Sequence, residues 1–264
     1  MVIHNINTGN ANPIKQHPYK ASPDQQVFIK REIEKMLYQG IISPITSPWS
    51  FPVVIVSKKN GKQRFCVDYR KLNSVTEKDV YPMPVVDDLL ETFNGAQWFT
   101  CLDLVSEYCQ VAMTDQDKSK TAFTTKYGLY EFNVMPFGLC NAPAIFQRLM
   151  DKVLAPYRGK FVEVYLDDIT IFSATFELHC EHVSVILEVL GQASLMLNAD
   201  KYYFFLSKVK LLDHMISKEG IQPDNNKIVK VKEFSKPTTL RQLRGFFELA
   251  SYYRKFIKNF FTVV

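Results

Sequence analysis

One apolar stretch of the chain reads Phe161-Val162-Glu163-Val164-Tyr165-Leu166-Asp167-Asp168-Ile169-Thr170-Ile171-Phe172, and two adjacent aspartates interrupt it. Aromatic and β-branched residues flank the aspartates on both sides, a pattern typical of two strands that meet at a tight turn. Two like charges in apolar surroundings raise each other's pKa unless a cation shares their site. The stretch therefore predicts either a turn that uses Asp for its turn propensity or a divalent metal site, and by itself it favours neither.

The composition indicates a folded and mildly basic chain of 264 residues. Hydrophobic residues make up 47% and charged residues 22%, which predicts one large domain or two to three subdomains around a shared core. The net charge of +5 permits a polyanionic partner without requiring one. The five cysteines are odd in number and lack paired spacing, which favours free thiols over a disulfide framework or structural zinc.

No signal peptide and no apolar run of membrane-spanning length is found in the sequence. We therefore expect a soluble intracellular protein without a membrane partner. The segment His179-Cys180-Glu181-His182 contains residue types that bind metals. Its helical spacing among polar residues favours a solvated helix face over a metal site.

The predicted elements indicate an α+β layer fold, because strands and helices mix without regular alternation. Ser22-Pro23-Asp24-Gln25 combines an N-cap, a first-turn proline and a capping-box Gln, and predicts a helix that stops at Gly40. Two strands, Phe51–Val56 and Arg64–Tyr69, are predicted to join at Asn60-Gly61. The remaining predictions are a helix over 87–93, a strand over 97–104, a polar hairpin over roughly 111–133, helices over 142–154 and 176–193, strands over 203–216 and a helix over 239–259.

A third acid, Asp103, ends its own predicted strand. If this strand neighbours the Asp167-Asp168 stretch, three carboxylates converge and can hold two divalent cations about 4 Å apart. Such a pair serves nucleotidyl transfer, because it activates an attacking oxygen and stabilises a leaving one. Cations for phosphate groups could come from the hairpin Lys58, Lys59, Lys62 and Arg64, although such a hairpin alone is more often a solvated turn.

Five motifs occur in order: Val67-Asp68-Tyr69-Arg70-Lys71-Leu72-Asn73, the strand ending at Asp103, Met135-Pro136-Phe137-Gly138-Leu139, Asn141-Ala142-Pro143-Ala144-Ile145-Phe146-Gln147 and Tyr165-Leu166-Asp167-Asp168. Together they resemble the reverse transcriptase of gypsy-type LTR retrotransposons, a part of a retroviral-like pol polyprotein. The resemblance covers about residues 12–260. It implies an α+β right-hand polymerase with fingers and palm and a truncated thumb.

The resemblance also implies boundaries for these parts, which are an extended lead-in at 1–11, fingers at 12–78 and 111–141, a palm at 79–110 and 142–216, and a partial thumb at 217–264. The activity would be RNA-directed DNA polymerisation. The partners would be an RNA or DNA template-primer and dNTPs. The parent polyprotein would also carry a protease, a ribonuclease H and an integrase, which are absent from this chain, and would act in a cytoplasmic or nuclear particle.

Individual roles follow from the same resemblance. Asp103, Asp167 and Asp168 would be catalytic and would bind two Mg²⁺ ions, with Mn²⁺ as a substitute. Leu212–His214 would hold the primer end. The dNTP side would include Lys58, Lys59, Arg64, Tyr108, Phe137 and Gly138, with Tyr108 as a gate against the ribose 2′-hydroxyl. Without the resemblance, Tyr108 and Phe137 are interpreted as packing aromatics.

The sequence departs from the family pattern close to the expected chemistry. Glu107 stands where the family has a small residue, and it adds bulk and negative charge beside a polyanionic substrate. In Leu212-Asp213-His214, Asp213 takes the place of the glycine in the usual Leu-Gly-His, and it would add a negative charge near the primer phosphates. Ser194 also replaces a usual glycine. With the partial thumb, these changes leave an alternative hypothesis, which is a catalytically inactive, truncated retrotransposon relic that at most binds nucleic acid.

Overall fold

The computed structural model describes residues 2–57, 61, 63–199 and 201–260. The strands, numbered in chain order, are β1 Ile3–His4, β2 Ile42–Pro44, β3 Phe51–Ser57, β4 Gln63–Val67, β5 Trp98–Asp103, β6 Ala112–Met113, β7 Phe123–Thr125, β8 Gly128–Phe132, β9 Val162–Tyr165, β10 Asp168–Ser173, β11 Tyr203–Leu206, β12 Lys208–Leu211, β13 His214–Ser217 and β14 Gly220–Pro223. The helices are α1 Pro23–Tyr38, α2 Arg70–Val75, α3 Val86–Thr92, α4 Asp115–Lys118, α5 Ala142–Leu154, α6 Phe176–Gln192, α7 Asn225–Lys232 and α8 Leu240–Tyr252. Short 3₁₀ turns cover Glu107–Gln110, Ser119–Thr121 and Arg254–Phe256.

The strands of the described residues form a mixed set of sheets. A five-stranded sheet has the order β2-β8-β7-β3-β4, in which β3 and β7 run parallel. A four-stranded antiparallel sheet has the order β11-β5-β10-β9, and a three-stranded antiparallel sheet has the order β12-β13-β14. β1 pairs with β6. The predicted α+β class is therefore confirmed.

One continuous hydrophobic core joins the five-stranded sheet to the four-stranded sheet. Helix α5 packs on β9 of the four-stranded sheet and buries Ile145, Phe146 and Met150 in this core. A second, smaller cluster packs α3 against β5, β10 and the three-stranded sheet. Burial of about 25 cal/mol per Å² of apolar surface makes such shared cores the main stabilising contribution, so neither large sheet is an independent unit.

The two segments predicted to form the fingers, 12–78 and 111–141, supply every strand of the five-stranded sheet. The four-stranded sheet comes from the segments predicted to form the palm, 79–110 and 142–216. The boundaries of fingers, palm and thumb stay predictions. Among the described residues, no helix is long and apolar enough to cross a membrane.

Local capping signals placed several helices correctly. Ser22 caps α1 and forms the predicted capping box with Gln25, and Gly40 has a φ of +67° just after the helix. Thr239 likewise caps α8. The predicted helix over 239–259 is too long, because a 3₁₀ turn replaces it after Tyr252. Helix α7 was missed although Asp224 is its N-cap and accepts a hydrogen bond from the Asn226 backbone N–H.

The polar hairpin predicted over 111–133 is only partly correct. β7 and β8 form a hairpin, but α4 and a 3₁₀ turn separate it from β6. Asp117 stabilises this helical segment, since its carboxylate accepts hydrogen bonds from the Ile6 backbone N–H at 2.9 Å and from the Thr114 hydroxyl at 2.8 Å. The contact to Ile6 is non-local, so the sequence pattern did not reveal it.

The solvated-face interpretation of residues 179–182 is wrong for both histidines. His179 is wholly buried, with Nε2 2.8 Å from the Thr100 hydroxyl and Nδ1 2.8 Å from the Ser173 hydroxyl. His182 Nδ1 also lies 2.8 Å from Ser173, and its ring stacks on Phe161 at 3.8 Å. These hydrogen bonds satisfy polar groups under α6 that burial would otherwise penalise. The histidines therefore have a packing role.

Acid should weaken the fold through His179. Burial and, to a smaller extent, the neighbouring His182 together lower the pKa of His179 to about 4. A native pKa below the unfolded value means that the unfolded chain takes up the proton first, so stability is complete above about pH 6.5 and is lost as the pH falls toward 4. We expect His179 to account for roughly 1–2 kcal/mol of the stability lost between pH 7.5 and pH 5.

Urea denaturation of wild type and His179→Gln at both pH values measures this contribution. The substitution should lower stability at pH 7.5 but reduce its pH dependence. The same change at the exposed His17 is the control and should leave the pH dependence intact. Equal pH dependence in wild type and His179→Gln would contradict the assignment.

Candidate active site

Two antiparallel strands, β9 and β10, place the paired aspartates at a tight turn. Tyr165 lies opposite Asp168, so the loop between the strands consists of Leu166 and Asp167 alone. Leu166 has a φ of +57°, in the left-handed region that a leucine rarely adopts. Asp167 is thus at the tip of the hairpin, and Asp168 begins β10. The flanks on both sides are buried, in agreement with the apolar run in the sequence.

The neighbouring strand brings the third acid to the same place. β5 pairs with β10 in antiparallel register, with Asp103 directly opposite Asp168. Residues opposite each other in an antiparallel pair have Cβ atoms roughly 5 Å apart. The strands that carry Asp103 and Asp168 are therefore neighbours, as the convergence of the three carboxylates requires. The three carboxylates occupy one end of the four-stranded sheet.

A buried glutamine supports the strained turn. Gln147 of α5 is wholly buried, and its Oε1 accepts a hydrogen bond from the Leu166 backbone N–H at 2.9 Å. Its Nε2 donates to Asp151 Oδ1 at 2.8 Å, and Asp151 also accepts a hydrogen bond from the Tyr81 hydroxyl at 2.7 Å. This role of Gln147 was not predicted from the sequence. The feature that could have indicated it is an amide on the otherwise apolar, buried face of the amphipathic helix α5.

The acidic cluster is partly neutralised by a lysine. Lys201 Nζ lies 3.0 Å from Asp103 Oδ2 and 3.2 Å from Oδ1, and this contact raises the pKa of Lys201. The pKa of Asp168 is raised to about 6, first because the surrounding protein reduces its hydration and then because Asp167 and Asp103 repel a further negative charge. The Asp168 side chain still borders solvent, so screening moderates this repulsion.

The donor chemistry of this end of the sheet suits a hard divalent cation. Carboxylate oxygens are the preferred protein ligands of Mg²⁺ and also accept Mn²⁺, and Asp167 and Asp103 add to the effect of burial in raising the pKa of Asp168. Across the described part of the chain, no three His, Cys, Asp or Glu side chains are arranged as a closed metal cluster. Asp103 instead contacts Lys201, which a cation at this carboxylate would displace.

A cleft of about 590 Å³ opens on one side of the hairpin, and Arg64, Glu107, Phe137, Asp167 and Lys201 are among its lining residues. The Arg64 guanidinium carbon lies 4.6 Å from the centre of the Phe137 ring. The Tyr108 ring packs against two aromatic rings, and its centre lies 5.1 Å from that of Phe137 and 5.8 Å from that of Phe146. Three residues expected on the dNTP side, Arg64, Tyr108 and Phe137, are therefore brought together.

The remaining residues expected on the dNTP side differ in what the structure says of them. Gly138 has a φ of +97°, and a Cβ there would lie 3.5 Å from the Val67 carbonyl oxygen. Its own carbonyl accepts a hydrogen bond from Asn73 Nδ2 at 2.8 Å. This glycine thus serves a close turn beside Phe137. Lys58 and Lys59 lie outside the described residues.

Glu107 shares the cleft and the electrostatic environment of the aspartates. Burial raises the pKa of Glu107, and the charges of Asp167 and Asp103 raise it further, while Arg64 opposes them. These mutual effects place the Glu107 carboxylate near both the acidic cluster and the cationic side of the cleft. Glu107 therefore lies in the cleft, where a negative charge is unfavourable for a polyanionic substrate.

A second cleft, of about 480 Å³, lies on the other side of the acids. Its lining includes Asp103, Asp168 and Lys201 together with Lys210 and Leu211 of β12. The acidic end of the four-stranded sheet is thus reached from two open sides. Such an arrangement can hold two molecules that react with each other across the carboxylates.

Known proteins match this chain in sequence and in fold. The family described as reverse transcriptase (RNA-dependent DNA polymerase) matches residues 56–232. The chain is 40% identical over 263 residues to the retrovirus-related Pol polyprotein from transposon opus of Drosophila melanogaster. The aligned region covers 98% of this chain and 26% of that protein. The chain is 37% identical to the Pol polyprotein from transposon gypsy of the same organism, with 99% and 26% covered. The chain therefore spans about a quarter of the length of these curated relatives.

Solved structures agree with these relatives. The foamy viral protease-reverse transcriptase dRH in complex with double-stranded DNA has a TM-score of 0.90 and 25% identity, covering 100% of this chain and 46% of that one. The foamy viral protease-reverse transcriptase in complex with an RNA/DNA hybrid has a TM-score of 0.82 and 24% identity, covering 96% and 34%. The chain belongs to the reverse transcriptase family, with gypsy-type Pol polyproteins among its relatives, and the predicted family and polymerase fold are confirmed.

Replacing Gln147 by Leu should destabilise the Asp167 hairpin. The substitution keeps a similar volume but leaves the Leu166 N–H without its acceptor and removes one donor from the Asp151 carboxylate, which keeps Tyr81 and Arg158. We expect a loss of roughly 2 kcal/mol in the free energy of unfolding, measured by urea denaturation. The exposed Gln192 of α6, changed to Leu, is the matched control and should cost less than about 0.5 kcal/mol. Equal losses in the two variants would contradict a supporting role for Gln147.

Proposed function

We propose that this chain is an RNA-directed DNA polymerase domain that transfers a nucleotidyl group from a dNTP to a primer 3′-hydroxyl on an RNA or DNA template. The single observation that carries the proposal is the register of β5 and β10, which sets Asp103 opposite Asp168 beside Asp167 at the hairpin tip. Family membership supports it, as do the nucleic-acid duplexes held by the foamy viral reverse transcriptases.

Asp103, Asp167 and Asp168 would hold two Mg²⁺ ions, with Mn²⁺ as a substitute. When bound, such ions supply positive charge to the attacking and leaving oxygens. The charge also removes the mutual repulsion that raises the pKa of Asp168. At Asp103 a cation would take the place of Lys201, which contacts both carboxylate oxygens.

The 590 Å³ cleft would hold the dNTP. Arg64 would contact the triphosphate, with its guanidinium held in place by the Phe137 ring. Tyr108 would face the sugar, because its ring is fixed between Phe137 and the buried Phe146. Gly138 would keep the backbone close beside this group. Lys58 and Lys59, outside the described residues, would complete the cationic side.

The 480 Å³ cleft on the opposite side would hold the primer end. Lys210 lines this cleft together with Asp103 and Asp168 and provides a positive charge for a primer phosphate. A primer 3′-hydroxyl placed there and a dNTP α-phosphate placed in the first cleft would meet at the carboxylates. The duplex beyond would be bound mainly through its backbone phosphates.

One observation favours the second candidate, a relic that binds nucleic acid without polymerising. Glu107 stands in the cleft proposed for the dNTP, where its charge interacts with Asp167 and Asp103. A carboxylate there repels a triphosphate and competes for Arg64. The two candidates differ in a measurable way, because duplex binding is expected of both and primer extension of the first alone.

Primer extension on an RNA template with Mg²⁺ and dNTPs tests the polymerase proposal. Asp167→Asn should lower extension by about 100-fold or more, because it removes an anionic ligand from the proposed metal site. Asp88→Asn is the control, since Asp88 is exposed on α3, and it should extend primers as wild type does. Full activity of Asp167→Asn would rule out the assigned site, and duplex binding without extension by wild type would favour the relic.

Substitution of Glu107 separates the effects of its charge from those of its bulk. Glu107→Gln removes the charge, and Glu107→Gly removes both, so we expect the KM for dNTP to fall by about 10-fold in the Gly variant and by less in the Gln variant. Steady-state extension with varied dNTP measures this order. The same KM in wild type and both variants would show that Glu107 does not contact the nucleotide.

A further inference from the structure

The turn between β12 and β13 is held in an unfavourable backbone conformation. Leu211 pairs with His214, so Leu212 and Asp213 alone form the turn. Their φ angles are +46° and +61°. Consecutive left-handed residues are the geometry of a type I′ turn, which normally uses Asn-Gly or Gly-Gly because other residues are strained there. A leucine and an aspartate keep this conformation only if contacts from elsewhere enforce it.

Both carbonyl groups of this turn receive two hydrogen bonds. The Leu212 carbonyl oxygen accepts one from the Tyr252 hydroxyl at 2.9 Å and one from His214 Nδ1 at 2.7 Å. The Asp213 carbonyl oxygen accepts one from the Asp224 backbone N–H at 3.1 Å and a longer one from the Tyr253 hydroxyl at 3.5 Å. Two adjacent tyrosines at the end of α8 therefore reach both residues of the turn, 40 positions earlier in the chain.

Ring packing and an ion pair fix the tyrosines themselves. His214 is 1% exposed, and its ring centre lies 5.5 Å from Tyr252, 5.7 Å from Tyr253 and 5.8 Å from Phe256. Lys255 Nζ lies 3.0 Å from Asp87 Oδ1 on α3. The end of α8 and the following 3₁₀ turn thus form one rigid contact with the turn, which we call the tyrosine clamp, consisting of Tyr252 and Tyr253.

The clamp is connected to the acidic site through β12. Leu211 directly precedes the turn and is buried, and it lines the 480 Å³ cleft together with Lys210, Asp103 and Asp168. A change in the turn conformation would rotate the end of β12 and so reshape the cleft wall. The turn geometry therefore determines what the cleft can hold beside the carboxylates.

We propose that Tyr252 and Tyr253 are positioning residues that hold the Leu212-Asp213 turn in the form that grips a primer end. This inference rests on the proposed polymerase function. Neither tyrosine touches the substrate, because each acts through a backbone carbonyl of the turn. Leu212 and Asp213 together make the clamp necessary, since a glycine at either position would adopt the left-handed conformation without strain.

Tyrosine-to-phenylalanine substitution removes only the hydroxyl group and keeps the ring packing against His214. Tyr252→Phe should weaken binding of a fluorescent primer-template duplex by about five-fold, the effect of one lost hydrogen bond. Tyr253→Phe should have a smaller effect, because its bond is longer. The KM for dNTP should stay unchanged in both. Tyr38→Phe is the control, since Tyr38 is 94% exposed on α1.

Second-site changes at Asp213 distinguish strain from charge. Asp213→Gly removes the charge and the strain at position 213 while Leu212 stays strained, whereas Asp213→Asn removes the charge and keeps a side chain in the left-handed region. Tyr252→Phe should therefore have a smaller effect on duplex binding in the Asp213→Gly background and keep its full effect in the Asp213→Asn background. Equal effects of Tyr252→Phe in all backgrounds would overturn the proposal, as would an unchanged duplex affinity or a raised KM for dNTP.

Hydrogen exchange measured without nucleic acid keeps the test independent of the proposed function. Backbone amides of residues 208–217 should exchange about five-fold faster in Tyr252→Phe, and Asp213→Gly should bring the rate part of the way back to that of wild type. Wild-type chain that fails to bind any duplex, with this exchange pattern intact, would contradict the polymerase and leave the clamp. Unchanged exchange in Tyr252→Phe would contradict the clamp even if the chain polymerises.

Discussion

The pairing of β5 with β10 is the constraint on which the site depends. A shift of this pairing by one residue would move Asp168 away from Asp103 and turn every side chain of β10 to the opposite face. The fully buried Ile169 and Ile171 prevent such a shift, because it would move them out of the core that they fill. The hydrophobic packing of one strand thus fixes the relative position of the carboxylates.

Like charges gathered in this way are costly, and the surrounding residues reduce the cost. Lys201 contacts Asp103, and exposure to two clefts leaves the aspartates partly hydrated. Glu107 adds a further acid to one cleft with Arg64 as the nearby opposing charge. The balance between these groups is the reason for proposing a divalent cation at the site, and it makes Glu107 the residue most in conflict with the proposed triphosphate substrate.

Strained turns occur on both sides of this site, and each is held by a distant side chain. Leu166 is held through its N–H by Gln147 of α5, and the turn at Leu212-Asp213 is held by tyrosines after α8. Ser194, another non-glycine residue with a positive φ of +57°, closes the end of α6 through its backbone N–H to Gly191. Ser194 and Asp213, at positions where the resemblance to gypsy-type sequences leads us to expect glycine, thus adopt a left-handed backbone conformation at a cost in strain.

The sequence by itself determined the α+β class, the starts of α1 and α8, the two strands around Asp167-Asp168 and the family, because caps, turns and apolar patterns act over a few positions. Only the tertiary structure decided which residues oppose each other. It placed Asp103 beside Asp168, buried the His179 face of α6, paired the Gln147 amide with Leu166 and Asp151, and joined the tyrosines to a turn 40 residues away. Those contacts depend on the packing of elements distant in sequence, and hydrogen bonds between such elements leave no local pattern in the chain.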